Sequence, residues 1–404
     1  MDIAELQREI PTFAESTGIE IALQPFTGQE KLYAMMAAGE PPDIFYTNTV
    51  VRDRLASEGR LLDMRKVSAG DRFLERLWGD VYRQGFSADG GLYSIGNWSF
   101  TAGIYYNRDL FDRARVPSPD TAWTWNELVA AARRLTVDSN GDGEPEVYGI
   151  FIPSHFAEML EQMNEAPVSE KSLFANFSEE SIEALHFYLS LMREHLMPDL
   201  RRVQALGMQA SQLLQTGKVA MLMEAVPHQG LIETLGIRWG IAPVPRFAGK
   251  AVRYFRSESG GLSISAATAN PAAAWKALKW IIAGASAYQP NPVLKDVDFV
   301  SGWEARYPQL VGSGFREVWQ WSLKHAAGDP RFFVRFSSWT SASILERLQP
   351  LLDRLWAREI TLDELTRAVP EINSAARSEL ERTMERGELR DEFLRAIQQQ
   401  LVPK

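Results

Sequence analysis

Over the first 47 residues the spacing of apolar side chains switches repeatedly between two periods, and that succession limits the fold more than any other feature of the chain. Ile3, Leu6, Ile10 and Phe13 recur at helical spacing, so residues 2–16 read as an amphipathic helix that Gly18 ends. Ile19, Ile21 and Leu23 then alternate with Glu20, Ala22 and Gln24, which is the period of a strand. Residues 29–38 read as a second helix closed by Gly39; Pro41 and Pro42 break the chain, and residues 43–47 read as a short buried strand. Helix, strand, helix, strand in this order predicts an α/β fold with a parallel sheet.

The rest of the chain continues the theme. In residues 90–111, Leu92 and Tyr93 start one strand, Gly96-Asn97-Trp98 interrupts, and an apolar strand over 102–106 leads into Asn107-Arg108-Asp109-Leu110-Phe111. Thr124 and Glu127 form a capping box for a helix carrying Leu128, Ala132 and Leu135. A strand is expected at 147–152 and a long helix over 179–196. Residues 219–223 read as an apolar strand ended by Glu224, and 260–265 as a further strand. Asn270 and Pro271 suit the N-cap and first position of a helix bearing Trp275, Leu278, Ile281 and Ile282. Residues 285–313 read as irregular. The last ninety residues read as helices, one opened by the capping box of Thr361 and Glu364.

Composition excludes several classes of chemistry. The chain has 404 residues, enough for two or three core-sized units, and no cysteine. Disulfides, thiolate catalysis and cysteine-ligated metals are therefore out. A net charge of −9 argues against nucleic acid. No apolar run reaches the roughly 18 residues of a membrane span. The HExxH, Walker A, GxSxG and GxGxxG patterns are absent, and the five histidines are scattered. Twelve tryptophans are many for such a chain and suit the flat faces that sugar rings stack on.

The chain resembles the extracellular solute-binding proteins of carbohydrate ABC importers, the family that includes maltose-binding protein. The resemblance rests on residues 13–45 with the Thr17-Gly18-Ile19 and Pro41-Pro42-Asp43-Ile44-Phe45 motifs, on Gly59-Arg60-Leu61-Leu62-Asp63, and on the Tyr105-Tyr106-Asn107-Arg108-Asp109-Leu110-Phe111 run. It extends through Thr124-Trp125-Asn126-Glu127-Leu128, Gly217-Lys218-Val219-Ala220-Met221, Trp239-Gly240-Ile241-Ala242-Pro243 and the order Gly260-Gly261…Asn270-Pro271…Trp275. It covers residues 13–282 well and the tail loosely. It implies an α/β, two-lobe periplasmic-binding-protein-like fold with inter-lobe crossovers and a helical C-terminal part. Residues 1–105 plus 262–290 would form lobe 1, and residues 106–258 plus 291–404 lobe 2. A non-enzymatic, monomeric binding protein is implied, which closes by hinge motion on a carbohydrate in the cleft and docks on ABC permease subunits. It would be extracellular or periplasmic. Family members begin with a signal peptide and a strand inside the first lobe's sheet, whereas this sequence opens at the following helix: either the first lobe is rebuilt or, as expected here, the native start lies in an upstream segment, through which the protein could be membrane-anchored.

A sugar site needs aromatic faces for the ring and carboxylates, amides or arginines for hydroxyls, placed in loops at strand ends. Asn48 follows the strand at 43–47, as a hydroxyl contact or an Asx-turn residue. Asn97 and Trp98 sit between two strands, with Trp98 a stacking platform or a wedge between lobes. Glu224 ends an apolar strand; His228 follows it, as a ligand contact or a hydrogen-bonded loop histidine. Glu258, with Ser259, falls at the second crossover, a position that faces the cleft in the family. Trp303 is the aromatic of the irregular segment, and Trp339 follows the apolar run at 332–336, a region from which relatives present a stacking aromatic. Arg253, Arg256 and Arg335 could serve a phosphate-bearing ligand such as a glycerol phosphodiester. Trp78, Trp123, Trp125, Trp275, Trp280 and Trp356 read as packing residues, and Trp319 and Trp321 cannot both face inward. Asp138, Asn140 and Asp142 open like a calcium loop, but Gly149 stands where the bidentate glutamate belongs. A polar turn is the alternative, and neither metal nor cofactor is expected. Tyr105 and Tyr106 point to opposite faces of a strand and make no iron-binding pair. The rival reading, a carbohydrate-active hydrolase, would need paired carboxylates, for which Glu224 and Glu258 are the pair. A third reading is the binding component of a sensor.

Overall fold

The computed structural model describes residues 3–24, 28–164, 173–250, 256–258, 260–288, 293–325, 338–387 and 389–401. The chain divides into two compact units. The first comprises Met1–Ser99, Glu258–Trp303 and Glu381–Lys404, and the second Phe100–Ser257 and Glu304–Leu380. Seven strands are described: β1 Ile44–Thr47, β2 Ile95–Gly96, β3 Ser99–Asn107, β4 Met221–Val226, β5 Trp239–Pro243, β6 Arg256–Glu258 and β7 Gly261–Ile264. Among the described residues no helix is long and apolar enough to cross a membrane.

In the first unit the strand order is β1–β7–β2, with both outer strands antiparallel to β7. One face of this sheet rests on the helix Pro271–Tyr288, whose Trp275, Leu278 and Ile282 repeat on one side and enter a core with Leu6, Met64, Leu92, Ile95, Leu262 and Ile264. Leu278 and Ile264 are fully buried, which is worth about 1.5–3 kcal/mol for each side chain. The helix starts as its sequence dictates: Asn270 Oδ1 accepts from the Ala273 amide at 3.1 Å, and Pro271 follows. The terminal helix Asp391–Leu401 belongs to this unit through buried Phe393 and Ile397, and the Arg390 amide donates to Ser57 O at 3.1 Å.

In the second unit β3 runs between β4 and β5, antiparallel to both, and all nine of its residues are buried. The helix Trp125–Leu135 covers part of this core with Trp125, Leu128, Ala132 and Leu135. Its capping box is formed, with the Thr124 amide donating to Glu127 Oε2 at 2.7 Å and the Glu127 amide to Thr124 Oγ1 at 3.3 Å. Thr361 and Glu364 make the same reciprocal pair.

Four sequence expectations are corrected. The pairs β1–β7, β2–β7, β3–β4 and β3–β5 are antiparallel, not parallel; among the described residues parallel pairing is seen in isolated bridges such as Tyr148 with Val219 and Phe151 with Leu222. The reason is that β7 and β3 each run against both of their neighbours. Residues 147–152 form only isolated bridges, antiparallel at Val147 and parallel at Tyr148 and Phe151, not a strand. Residues 19–24 keep the expected alternation, with Ile19, Ile21 and Leu23 half-buried and Glu20, Ala22 and Gln24 exposed, but they form no strand because no described strand lies beside them to complete a ladder. Residues 285–313 are not irregular throughout: their described part includes the end of the helix Pro271–Tyr288 and the helix Phe299–Arg306, whose short apolar spacing is interrupted by Ser301 and Gly302.

Two sheet ends carrying the candidate site residues

In the first unit the strand register gathers the candidates. Thr47 at the end of β1 and Gly96 at the end of β2 both lie opposite Gly261, the first residue of β7. Asn48 and Asn97 therefore leave the same end of the sheet, two strand spacings or roughly 10 Å apart, with Gly260 between them. Gly260 has φ 126°, and a Cβ there would lie 2.4 Å from Thr47 O and 2.5 Å from Tyr46 Oη. Only glycine lets the chain enter β7 this close to β1.

Asn48 is the N-cap of the helix Thr49–Ser57, its Oδ1 accepting from the Val51 amide at 2.9 Å. The cap uses the oxygen and leaves the amide nitrogen as the polar atom for another partner. Trp98 is half-buried. Its ring centroid lies 5.7 Å from Trp303 and 6.5 Å from Phe299, while Phe299 and Trp303 lie 5.6 Å apart. Trp303 is fully buried. The three rings make one cluster in which Trp98 alone is not buried. Phe299 escaped sequence reasoning. Its signal is the i, i+4 spacing to Trp303 on one helix.

In the second unit Glu224 lies inside β4 rather than at its end, opposite Gly103 of β3. It is half-buried, and its Oε1 accepts from its neighbour's amide, Ala225 N, at 2.8 Å. Tyr105 Oη donates to Ala225 O at 3.1 Å. Burial, then the Glu224 charge, pushes the Tyr105 phenol well above the tyrosine range, against a hydrogen bond from the His228 backbone. His228 caps the helix Gln229–Thr234 through Nδ1, which accepts from the Leu231 amide at 2.9 Å. His155 completes the group. Residue 151 bridges β4 in parallel at Leu222, so the chain delivers residues 153–155 alongside Glu224 and the last residues of β4. Burial lowers the His155 imidazole pKa, and the Glu224 charge opposes that shift. No local pattern marks His155; only the parallel bridge does.

Trp339 is half-buried at the start of the helix Ser338–Trp356 in the second unit, apart in sequence from the Glu224 group. Glu258 lies in β6, which pairs with β3, and its side chain is outside the described residues, as are Ser259, Arg253 and Arg335 and the side chain of Arg256. The turn at Asp138 is closed on itself: Asp138 accepts from the Gly141 and Gly143 amides at 2.8 and 3.0 Å, and Asn140 Nδ2 donates to Asp142 at 3.0 Å. Among the described residues no three His, Asp or Glu side chains are grouped to hold a metal. Tyr105 and Tyr106 are both buried, and so are Trp123, Trp125, Trp275 and Trp356. Trp319 is buried as well, while Trp321 is half-exposed beside the His325 ring.

The arrangement offers one partly open aromatic face with two nearby amides in the first unit, and a carboxylate with an uncharged-leaning imidazole in the second. The sequence profile described as bacterial extracellular solute-binding protein matches residues 2–285. A maltotriose-binding protein of Pyrococcus abyssi (strain GE5 / Orsay) is 23% identical over 266 residues, 62% of this chain and 53% of the relative, so the match spans about half the relative's length. An ABC substrate-binding protein from Listeria monocytogenes, solved in complex with cycloalternan, superposes with a TM-score of 0.75 at 20% identity over 92% of this chain and 95% of that one. The sugar-binding protein MalE from Xanthomonas citri gives 0.70 at 18% identity over 93% and 96%. These likenesses show the two-lobe periplasmic-binding fold with a helical C-terminal part.

Proposed function

The chain belongs to the bacterial extracellular solute-binding protein family, and we propose that within it this protein captures a sugar or oligosaccharide and delivers it to the membrane permease of an ABC importer. The family is a class of substrate-binding proteins, and the proposed role includes no turnover. The observation that carries the carbohydrate reading is Trp98, a partly open indole held from behind by Phe299 and buried Trp303, at the sheet end from which Asn48 and Asn97 project. An apolar face next to amide donors suits a sugar ring and its hydroxyls. Glu224 and His155 are the proposed hydroxyl partners in the second unit, with His228 and Trp339 as further contacts. Trp303 acts by bracing Trp98. The relatives named for maltotriose and solved with cycloalternan support an oligosaccharide. The protein would act outside the cytoplasmic membrane.

Thermal denaturation against mono- and oligosaccharides, polyols and glycerol phosphodiesters tests this. A ligand at a hundredfold excess over its Kd stabilises by about 2.7 kcal/mol. The expected result is a shift with one carbohydrate class and no release of aryl glycoside chromophore. Turnover of the aryl glycoside would establish a hydrolase instead, and a shift with glycerol phosphodiesters alone would sink the sugar assignment.

A further inference from the structure

On the first unit the short helix Arg72–Arg76, the helix Pro271–Tyr288 and the pair Lys295 and Asp296 border an open hollow of about 690 Å³. None of the candidate site residues named above lines it. Its walls are tied together by the protein itself. Lys295 N donates to Arg76 O at 2.8 Å and Trp78 N to Val293 O at 3.1 Å, and Leu77 bridges Leu294 antiparallel. Asp71 joins the two helices: its Oδ2 accepts from Trp275 Nε1 at 2.9 Å and from Lys279 Nζ, and its Oδ1 from the Phe73 amide at 2.9 Å. Trp280, which the sequence suggests as a packing residue, is the indole of this hollow. Phe13 stacks on its ring at 4.5 Å with 29° between the planes, yet Trp280 stays only half-buried.

We propose that this hollow is a second carbohydrate site, which holds a ring of a neutral oligosaccharide against Trp280. The polar groups around the indole select that ligand class. Arg72 pairs with Glu75 at 3.1 Å, Arg76 with Asp296 at 2.6 Å, and Lys279 with Asp71, so with Lys295 four cations face three carboxylates and the charge nearly cancels. An anion would have to draw the cations off their carboxylates, and an apolar ligand would strip water from three ion pairs and replace none of its hydrogen bonds. A sugar hydroxyl donates and accepts at once, so it adds to an Arg–Asp pair without breaking it, while the apolar face of the ring covers the indole. The volume lies within the roughly 300–1,000 Å³ of small-molecule sites. The proposal stands apart from the role of Trp98, because the two indoles lie on different parts of the first unit and can be read separately.

The test follows the indole N–H signals of the whole chain by NMR, with Trp98 and Trp280 each assigned by a Trp→Phe variant. The probes are the hexasaccharides of maltose, cellulose, xylan and mannan type, with hexaglutamate as the anionic comparison. The expected result is a saturable Trp280 shift with at least one hexasaccharide and none with hexaglutamate, weakened about fivefold in midpoint by Asp296→Ala. No Trp280 shift with any of the four sugars overturns the proposal, as does a larger response to hexaglutamate. A Trp280 shift that follows the Trp98 midpoint for every sugar and is unchanged by Asp296→Ala also overturns it, since it then reports events at Trp98. A Trp280 response without a Trp98 response would uphold this site while removing Trp98 as a sugar platform.

Discussion

Replacing Glu224 by glutamine removes a charge while keeping the shape, and the structure sets how much that should cost. One carboxylate oxygen already accepts from Ala225 N at 2.8 Å, which leaves the other for a ligand hydroxyl. A hydrogen bond to a charged acceptor contributes about 1.5–3 kcal/mol and a neutral one about 0.5–1.5. The glutamine keeps its carbonyl on the Ala225 amide and turns its NH₂ outward, so a hydroxyl that donated must instead accept. The half-buried setting places the loss at the lower end, about 1–1.5 kcal/mol, or about five- to tenfold in Kd. Isothermal titration with the sugar identified by the denaturation panel reads it directly. A second readout needs no ligand. Burial lowers the His155 pKa and the Glu224 charge raises it, so E224Q must lower the His155 titration further in NMR. Unchanged affinity would remove Glu224 from the site, and a His155 titration that stays put or rises would refute the electrostatic pairing on which its placement rests.

Three further outcomes are expected. Trp98→Ala should weaken sugar binding by about 1 kcal/mol or more through loss of one ring face, while leaving the circular dichroism melt within a few degrees, because the buried partners Phe299 and Trp303 remain. Gly260→Ala should cost about 1–3 kcal/mol in urea unfolding, since φ 126° strains any L side chain and its Cβ meets Thr47 O; a neutral effect would mean that the entry into β7 is looser than described. Burial raises the Asp71 pKa, but hydrogen bonds from Lys279, the Phe73 amide and Trp275 outweigh it and hold the carboxyl below its usual value. A carboxyl with a depressed folded pKa stabilises above its unfolded pKa of about 3.9 and loses that contribution as pH falls through the folded value. The stability gap between wild type and Asp71→Asn should therefore be flat, at about 1 kcal/mol or less, from pH 7 to 5, and should close in acid below that; a gap that widened in acid would reverse the sign of the argument.

What could be read from the sequence is what short-range physics controls. The capping boxes at Thr124 and Thr361 and the Asn270–Pro271 helix start lie within a few residues of the groups they satisfy, and they formed as expected. The apolar stripe of Leu128, Ala132 and Leu135 and the run of β3 are periodic patterns that specify burial without specifying partners. Motifs in a fixed order also carried the family, since each motif is local and the profile match spans residues 2–285.

Only the tertiary structure decides which segments meet. Nothing near Trp98 in sequence announces Phe299 and Trp303, and nothing near Glu224 announces His155; the packing of the helix Phe299–Arg306 against Trp98 and the bridge from Phe151 to Leu222 bring them together. The segment 19–24 makes the same point from the other side. Its alternation states which side chains should be covered, but a strand exists through the hydrogen bonds of a neighbour, and among the described residues that neighbour is absent. Periodicity is a property of one segment, whereas a ladder, a ring cluster or a shifted pKa is a property of two or more. The chain alone therefore shows its helix caps, its apolar stripes and its family, and folding decides which segments pair and which side chains stand together.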